Sequence, residues 1–144
     1  RTLQDRVRRP TRVLNDAGLQ GYGVVEGRGV EMLLTLGTGM GCALFSEGVY
    51  VPNIELAHHP FRKHRTYEDY IGVRALESVG KKQWNRRVAR VVATVLPIFN
   101  PRRLYLGGGN AKHLEIQLPP EVHLVANIAG LLGGIALWRR KDGA

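Results

Sequence analysis

Residues 31–36 read Glu-Met-Leu-Leu-Thr-Leu, and the next five read Gly-Thr-Gly-Met-Gly. A short apolar run of this kind reads as a buried strand. The glycines after it permit positive φ and close backbone approach, so residues 37–41 form a turn. Residues 42–46 then read as the return strand, Glu47-Gly48 as a second turn, and residues 49–51 as a third strand that Pro52-Asn53 stops. Three consecutive antiparallel strands, one of them buried, set the frame for the remaining segments.

Those segments alternate helix and strand patterns. Leu3 and Val7 are spaced like the tail of a helix that Pro10 closes, residues 12–14 read as extended, and residues 17–25 as a helix weakened by Gly18, Gly21 and Gly23. Thr66 reads as the cap of a helix over residues 67–79 that Gly80 ends. Trp84, Val88, Val91, Val92, Val95 and Leu96 recur at helical spacing opposite Arg86, Arg87 and Arg90, with Pro97 and Pro101 closing that helix. Residues 103–106 read as a strand running into Gly107-Gly108-Gly109, residues 110–116 as a helix, 122–125 as a strand and 129–139 as a last helix. The expected order is β-β-β-α-α-β-α-β-α, an α/β domain with a mixed sheet and helices packed on it.

The 144 residues suit one compact domain, and 44% apolar with 23% charged residues is ordinary for a globular chain. No apolar run approaches the roughly 20 residues of a membrane helix. No secretory signal is visible, and a single cysteine, Cys42, forms no internal disulfide, so a cytoplasmic setting is expected, with Cys42 a small buried strand residue. The chain begins at Arg1 without methionine, from which further residues upstream are expected. The formal charge of +9 favours polyanionic partners, whether nucleic acid, anionic membrane or a phosphorylated polymer, or serves solubility alone.

Four motifs in order carry a resemblance: Leu14-Asn15-Asp16-Ala17, the turn from Thr35 to Gly41, Glu55-Leu56-Ala57-His58, and Leu106-Gly107-Gly108-Gly109. Together they resemble the ROK family of sugar kinases and regulators. Pro52-Asn53-Ile54-Glu55, Thr66-Tyr67-Glu68-Asp69-Tyr70 and Asn100-Pro101-Arg102-Arg103 are most similar to the bacterial polyphosphate glucokinases of that family. The resemblance implies the ribonuclease-H-like C-terminal domain of the actin and sugar-kinase superfamily. On this reading residues 1–144 are that single domain, without the N-terminal domain and its DxGGT phosphate motif. Ala57 departs from the family glycine, and the cysteine-rich zinc motif is missing, so no zinc is expected.

Read from spacing alone, Asp16 is well explained as a helix N-cap and Asn15 as a turn residue, while Glu55 and His58, three apart, are a pair on one turn. The resemblance instead implies Asp16 as the base toward a sugar hydroxyl, with Asn15, Glu55, His58 and Glu68 holding the sugar. His59 is left structural. Residues Gly37, Thr38, Gly39 and Gly41 form either a tight hairpin or an anion cradle of N–H groups and a hydroxyl. Gly107, Gly108 and Gly109, expected before a helix N-terminus, match the family's nucleotide-side loop. The clusters Arg62-Lys63-His64-Arg65, Lys81-Lys82, Arg86-Arg87-Arg90 and Arg102-Arg103 are either solvated faces or a polyphosphate track. Trp84 and Trp138 read as core.

The implied activity is transfer of a phosphoryl group from polyphosphate, ATP or both to the 6-hydroxyl of glucose. Mg²⁺ would accompany the donor, the protein would be a homodimer, and the fragment alone would be inactive without its N-terminal domain. Two other functions fit parts of the same sequence: a sugar-responsive transcriptional regulator and a basic nucleic-acid-binding domain. The first lacks a visible helix-turn-helix here, and the second lacks aromatics interleaved with its charges.

Overall fold

The computed structural model describes residues 2–52, 54–126 and 129–139. Helix α1 (Leu3–Val7) and helix α2 (Asp16–Tyr22) precede strands β1 (Val30–Leu36), β2 (Met40–Ser46) and β3 (Val49–Val51). A small hairpin, β4 (Pro60–Arg62) and β5 (Arg65–Thr66), leads to α3 (Tyr67–Ile71) and α4 (Val73–Phe99). Strands β6 (Arg103–Gly107) and β7 (Val122–Leu124) and helix α5 (Ala129–Arg139) complete the order.

The five long strands form one sheet in the order β3-β2-β1-β6-β7, with the first three antiparallel and β6 and β7 parallel to β1. Because side chains alternate along a strand, β1 feeds two cores. Met32, Leu34 and Leu36 meet Tyr70, Ile71, Trp84, Val88, Val91 and Val95 from α3 and α4. Leu33 meets Ala43, Phe45, Tyr105 and Ala17 on the side of α2. Both faces of β1 are therefore dry, as its unbroken apolar run requires. The α/β class and mixed sheet expected from the sequence are present.

Several expected boundaries are corrected. The helix capped by Thr66 ends at Gly72 rather than Gly80. Gly72 adopts extended backbone (φ −65°, ψ 175°) and serves as both the last cap of α3 and the first cap of α4. Gly80 (φ 75°, ψ 161°) is non-helical and divides α4 into two helical segments, so a helix does stop there as expected. Pro97 does not close α4; it sits inside the last turn, and Asn100 in the left-handed region ends the helix. The helix expected over residues 110–116 is a single 3₁₀ turn, Ala111–His113. The helix expected over 17–25 is the shorter α2, and residues 12–14 join no sheet.

The β4–β5 hairpin has no counterpart in the expected order. Its tip places Lys63 (φ 53°) and His64 (φ 58°) in the left-handed region, a turn that sequence rules assign to Asn-Gly. Trp84 is core as expected, fully buried with its indole N–H donating to the Ile71 carbonyl at 2.8 Å. Trp138 is not; it is 53% exposed, with the Arg12 guanidinium 5.1 Å from its ring centre. Among the described residues no helix is long and apolar enough to cross a membrane.

Candidate active site

Strands β1 and β6 run parallel and side by side, with Thr35 paired to Gly107, so both glycine loops leave the same edge of the sheet. That edge, at the carboxyl ends of parallel strands, is where open α/β sheets bind ligands. The loops touch one another. Asn110 donates its backbone N–H to the Leu36 carbonyl and its side-chain N–H to the Gly37 carbonyl, both at 2.9 Å. The approach depends on Gly108, which has φ +86° and where a Cβ would lie 2.5 Å from the Leu36 carbonyl oxygen.

Within the first loop the donors are divided. Gly37 donates inward to the Gly39 carbonyl (3.1 Å), and Gly41 donates to the Thr35 hydroxyl (3.0 Å). The N–H groups of Thr38 and Gly39 have no acceptor among the described residues, and Thr38 is exposed. An anion meeting this loop would thus find the Thr38 and Gly39 N–H groups and the Thr38 hydroxyl, a smaller set than the five residues suggest. Thr35, at the end of an apolar run, is a contributor that sequence reasoning passed over. Its signal was a hydroxyl two residues ahead of the glycines.

A cleft of about 280 Å³ brings together Asp16, Thr35, Met40, Glu68 and the loop residues Gly37, Thr38, Gly39 and Gly41. Two carboxylates from distant parts of the chain therefore share one wall with the loop. Glu68 is set by α3, whose cap Thr66 exchanges hydrogen bonds with Asp69. Its carboxylate lies so close over Gly39 that a Cβ there would be 2.1 Å from Oε2. Asp16 differs from the strand-end position expected for it: it is the first residue of α2, and its Oδ1 accepts the Ala17 N–H at 2.8 Å. The capping role falls to Asn15, whose Oδ1 accepts the Gly18 N–H at 2.6 Å. That leaves Asp16 exposed and free of the cap role.

Glu55 and His58 do not line this cleft. They belong together, since Glu55 caps the 3₁₀ turn Leu56–His58 and its carbonyl accepts the His58 N–H at 3.3 Å. The Tyr50 hydroxyl is perturbed by both Asn15 and Glu55. Burial raises the Tyr50 hydroxyl above its ordinary value, Asn15 opposes this by hydrogen bonding, and the Glu55 charge adds to the rise. Tyr50 is a second residue that sequence reasoning missed. His59 packs its ring 6.3 Å from that of Tyr67. Cys42 is buried, and desolvation followed by the Glu55 charge pushes its thiol up to about 12, which makes it a poor nucleophile.

Gly108 and Gly109 border a second cleft of about 470 Å³ with Ala111, Lys112, Leu124, Val125 and Ala126. Gly107 itself is buried, with Val125 close above it. The element after this loop is the 3₁₀ turn, so the helix N-terminus expected to favour phosphate there is absent. Of the basic clusters, Arg102 and Arg103 pair with Glu26 (2.7 and 2.9 Å) at the start of β6, opposite the glycine edge, and Lys81 pairs with Glu115. Among the described residues no group of three or more His, Cys, Asp or Glu side chains is placed to hold a metal ion.

Comparison with known proteins bears on the family and the fold. The chain is 30% identical over 140 residues to polyphosphate glucokinase of Mycobacterium tuberculosis, a match covering 84% of this chain and 51% of that protein. The chain is similar to the C-terminal part of polyphosphate glucokinases and has the fold of ROK sugar kinases. It superimposes on an inorganic polyphosphate/ATP-glucomannokinase of an Arthrobacter strain with TM-score 0.77 and 29% identity, covering 95% of this chain and 61% of that one. It also superimposes on a ROK hexokinase of Thermus thermophilus with TM-score 0.75 and 21% identity, covering 98% and 70%, a likeness of fold. No protein-family model matches it. The chain spans about half the length of the curated proteins it matches, in their C-terminal part.

Proposed function

We propose that the chain is the base-carrying, sugar-binding half of a glucokinase that transfers a phosphoryl group from polyphosphate, ATP or both to the 6-hydroxyl of glucose. One observation carries the reading: Asp16 and Glu68 share a single cleft with the donors of residues 38 and 39. A carboxylate beside a hydroxyl takes its proton as the oxygen attacks, which is the role assigned to Asp16. Phosphoryl transfer otherwise asks for positioning and for donors where charge develops. The Thr38 and Gly39 N–H groups supply these. Glu68, with Asn15, Glu55 and His58 approaching from the Tyr50 side, orients the sugar through its hydroxyls.

A divalent cation, Mg²⁺ on this reading, travels with the donor and neutralises its charge. Such an ion, bound mainly by the donor phosphates and water, would ask the protein for no all-protein cage. The cleft at Gly108, Gly109 and Lys112 takes the nucleotide when ATP is the donor. The chain on its own supplies one wall of the reaction site and turns over little without a second domain.

Asp16→Asn in the complete protein tests the assignment. The expected result is a fall in kcat of about 10²–10⁴-fold with the KM for glucose little changed. Wild-type turnover by this variant would remove Asp16 from the reaction. Transfer from neither donor, together with sugar-dependent DNA binding, would favour a regulator instead.

A further inference from the structure

Helix α3 separates two clefts. Glu68 faces the loop at Gly39, while its neighbour Asp69 lines an open cleft of about 380 Å³ on another side of the helix. Its other polar walls are Arg65 from the hairpin, Arg74 and Ser78 from the first segment of α4, and Arg87 from beyond the Gly80 kink. Three guanidinium groups from the hairpin and the two segments of α4 thus surround one space against a single carboxylate.

That carboxylate is already engaged: Asp69 accepts from the Thr66 N–H (3.1 Å) and hydroxyl (2.9 Å). Neither Arg65 nor Arg74 forms a side-chain hydrogen bond or an ion pair with any described residue. Arg87 is held in place, donating to the Tyr70 carbonyl at 3.2 Å with its guanidinium 4.8 Å from the Tyr70 ring centre. Arg65 and Arg74 both attract the Asp69 charge, which after its bonds from Thr66 helps hold that carboxyl below its ordinary value, so three guanidinium groups stand against one partly neutralising carboxylate. The excess positive charge, in a cleft rather than on a convex face, is an arrangement for phosphate-type oxyanions.

We propose that this cleft is a second anion site, and that it holds a linear inorganic polyphosphate at units remote from the reacting end. The choice of polymer, which rests on the kinase reading, has three supports. Arg65, which lines the cleft, ends the basic run Arg62-Lys63-His64-Arg65 of the hairpin, so positive charge continues along the chain from it. Its aromatic neighbours Tyr67 and Tyr70 are buried and offer no face to a base, which disfavours nucleic acid. It also adjoins the first cleft, because the Val73 N–H at the start of α4 donates to the Thr38 carbonyl at 3.1 Å. A polymer whose end lies at Thr38 runs on across the α3–α4 junction to Arg74. A single orthophosphate has no such reach.

The test is binding of long-chain polyphosphate to this chain, compared between Arg65→Gln/Arg74→Gln and a control, Arg6→Gln/Arg9→Gln. The control removes the same charge from exposed positions at and after α1. The cleft variant is expected to bind at least about tenfold more weakly and to show a shallower salt dependence, with the control within about twofold of wild type. Arg65→Lys/Arg74→Lys, which keeps the charge, restores part of the affinity and guards against misfolding of the glutamine variant. Equal losses in the two glutamine variants, unchanged binding in the cleft variant, or no polyphosphate binding by the wild-type chain would each overturn the proposal. In the complete protein the cleft variant should lower kcat/KM for polyphosphate but not for ATP. Failure of both donors there would sink the kinase reading, while the binding comparison still decides the cleft.

Discussion

Replacing Glu31 with glutamine changes one oxygen to nitrogen in a side chain that is itself fully buried. Glu31 Oε1 accepts the Glu26 N–H (2.9 Å) and the Tyr105 O–H (2.8 Å), while Oε2 accepts the Gly27 and Arg28 N–H groups (2.7 and 3.2 Å). The amide nitrogen cannot face two backbone donors, so it settles at the Oε1 position, where the Tyr105 hydroxyl can rotate to accept. One donor, the Glu26 N–H, is then orphaned at roughly 1–3 kcal/mol. With an unfolding entropy of about 2.1 cal/mol/K per residue, that is a fall in Tm of about 3–10 °C for a domain of this size. Glu31→Leu orphans all four donors and should cost more than about 4 kcal/mol. Thermal and urea unfolding followed by circular dichroism would measure both.

Acid sharpens the test. Burial pushes the Glu31 carboxyl up, but hydrogen bonds from Glu26, Tyr105, Gly27 and Arg28 outweigh it and hold the group below its ordinary value of 4.5. A depressed folded value means stability that is complete above the ordinary carboxylate range and is lost as pH falls through 4.5 toward the lower folded value. The gap between wild type and Glu31→Gln should therefore be widest near neutrality and shrink below that point. A gap that stayed constant to pH 3, or a leucine variant as stable as the glutamine one, would refute the reasoning.

Two further outcomes test the site. Gly39→Ala inserts a Cβ against the Glu68 carboxylate, the movable end of a side chain, so Glu68 should swing away; the expected result is weaker glucose binding by calorimetry with a Tm within about 2 °C of wild type. Cys42 should resist a thiol reagent at pH 8 in the folded protein and react at once in denaturant, since its thiol is buried and raised to about 12; rapid native labelling would contradict the packing of β2.

The sheet was legible because its signals are local. The run at residues 31–36, the glycine turn and the return strand state their own pairing, and β3 and α5 fall on the residues expected. The errors lie where tertiary contacts override local rules. Gly80 does break the helix as its sequence suggests, but the break at Gly72, where extended backbone separates α3 from α4, was not foreseen. Pro97 is tolerated in the last turn of α4, which ends only at the left-handed Asn100. The Lys63-His64 turn has no sequence signature at all. In the site, motif order pointed to Asp16 and Glu68, and these do share a cleft. It could not reveal which loop donors are already used, because that depends on Thr35 and on the Gly39 carbonyl. Arg74 went unnoticed because it stands alone in sequence rather than in a basic run, and only the packing of α3 against α4 brings Arg65 and Arg87 to it.

Asn110 stitches the second glycine loop to the first, and both loops are rooted in adjacent strands whose ends are paired at Thr35 and Gly107. The separation between these two mouths is consequently a property of the sheet rather than of loop mobility. A ligand long enough to engage both meets a ruler of set length. On the proposed kinase reading, which phosphate of a donor came to rest over Thr38 would be decided by how many units fit along that span, so donor choice would be governed by spacing before any side chain reads its chemistry.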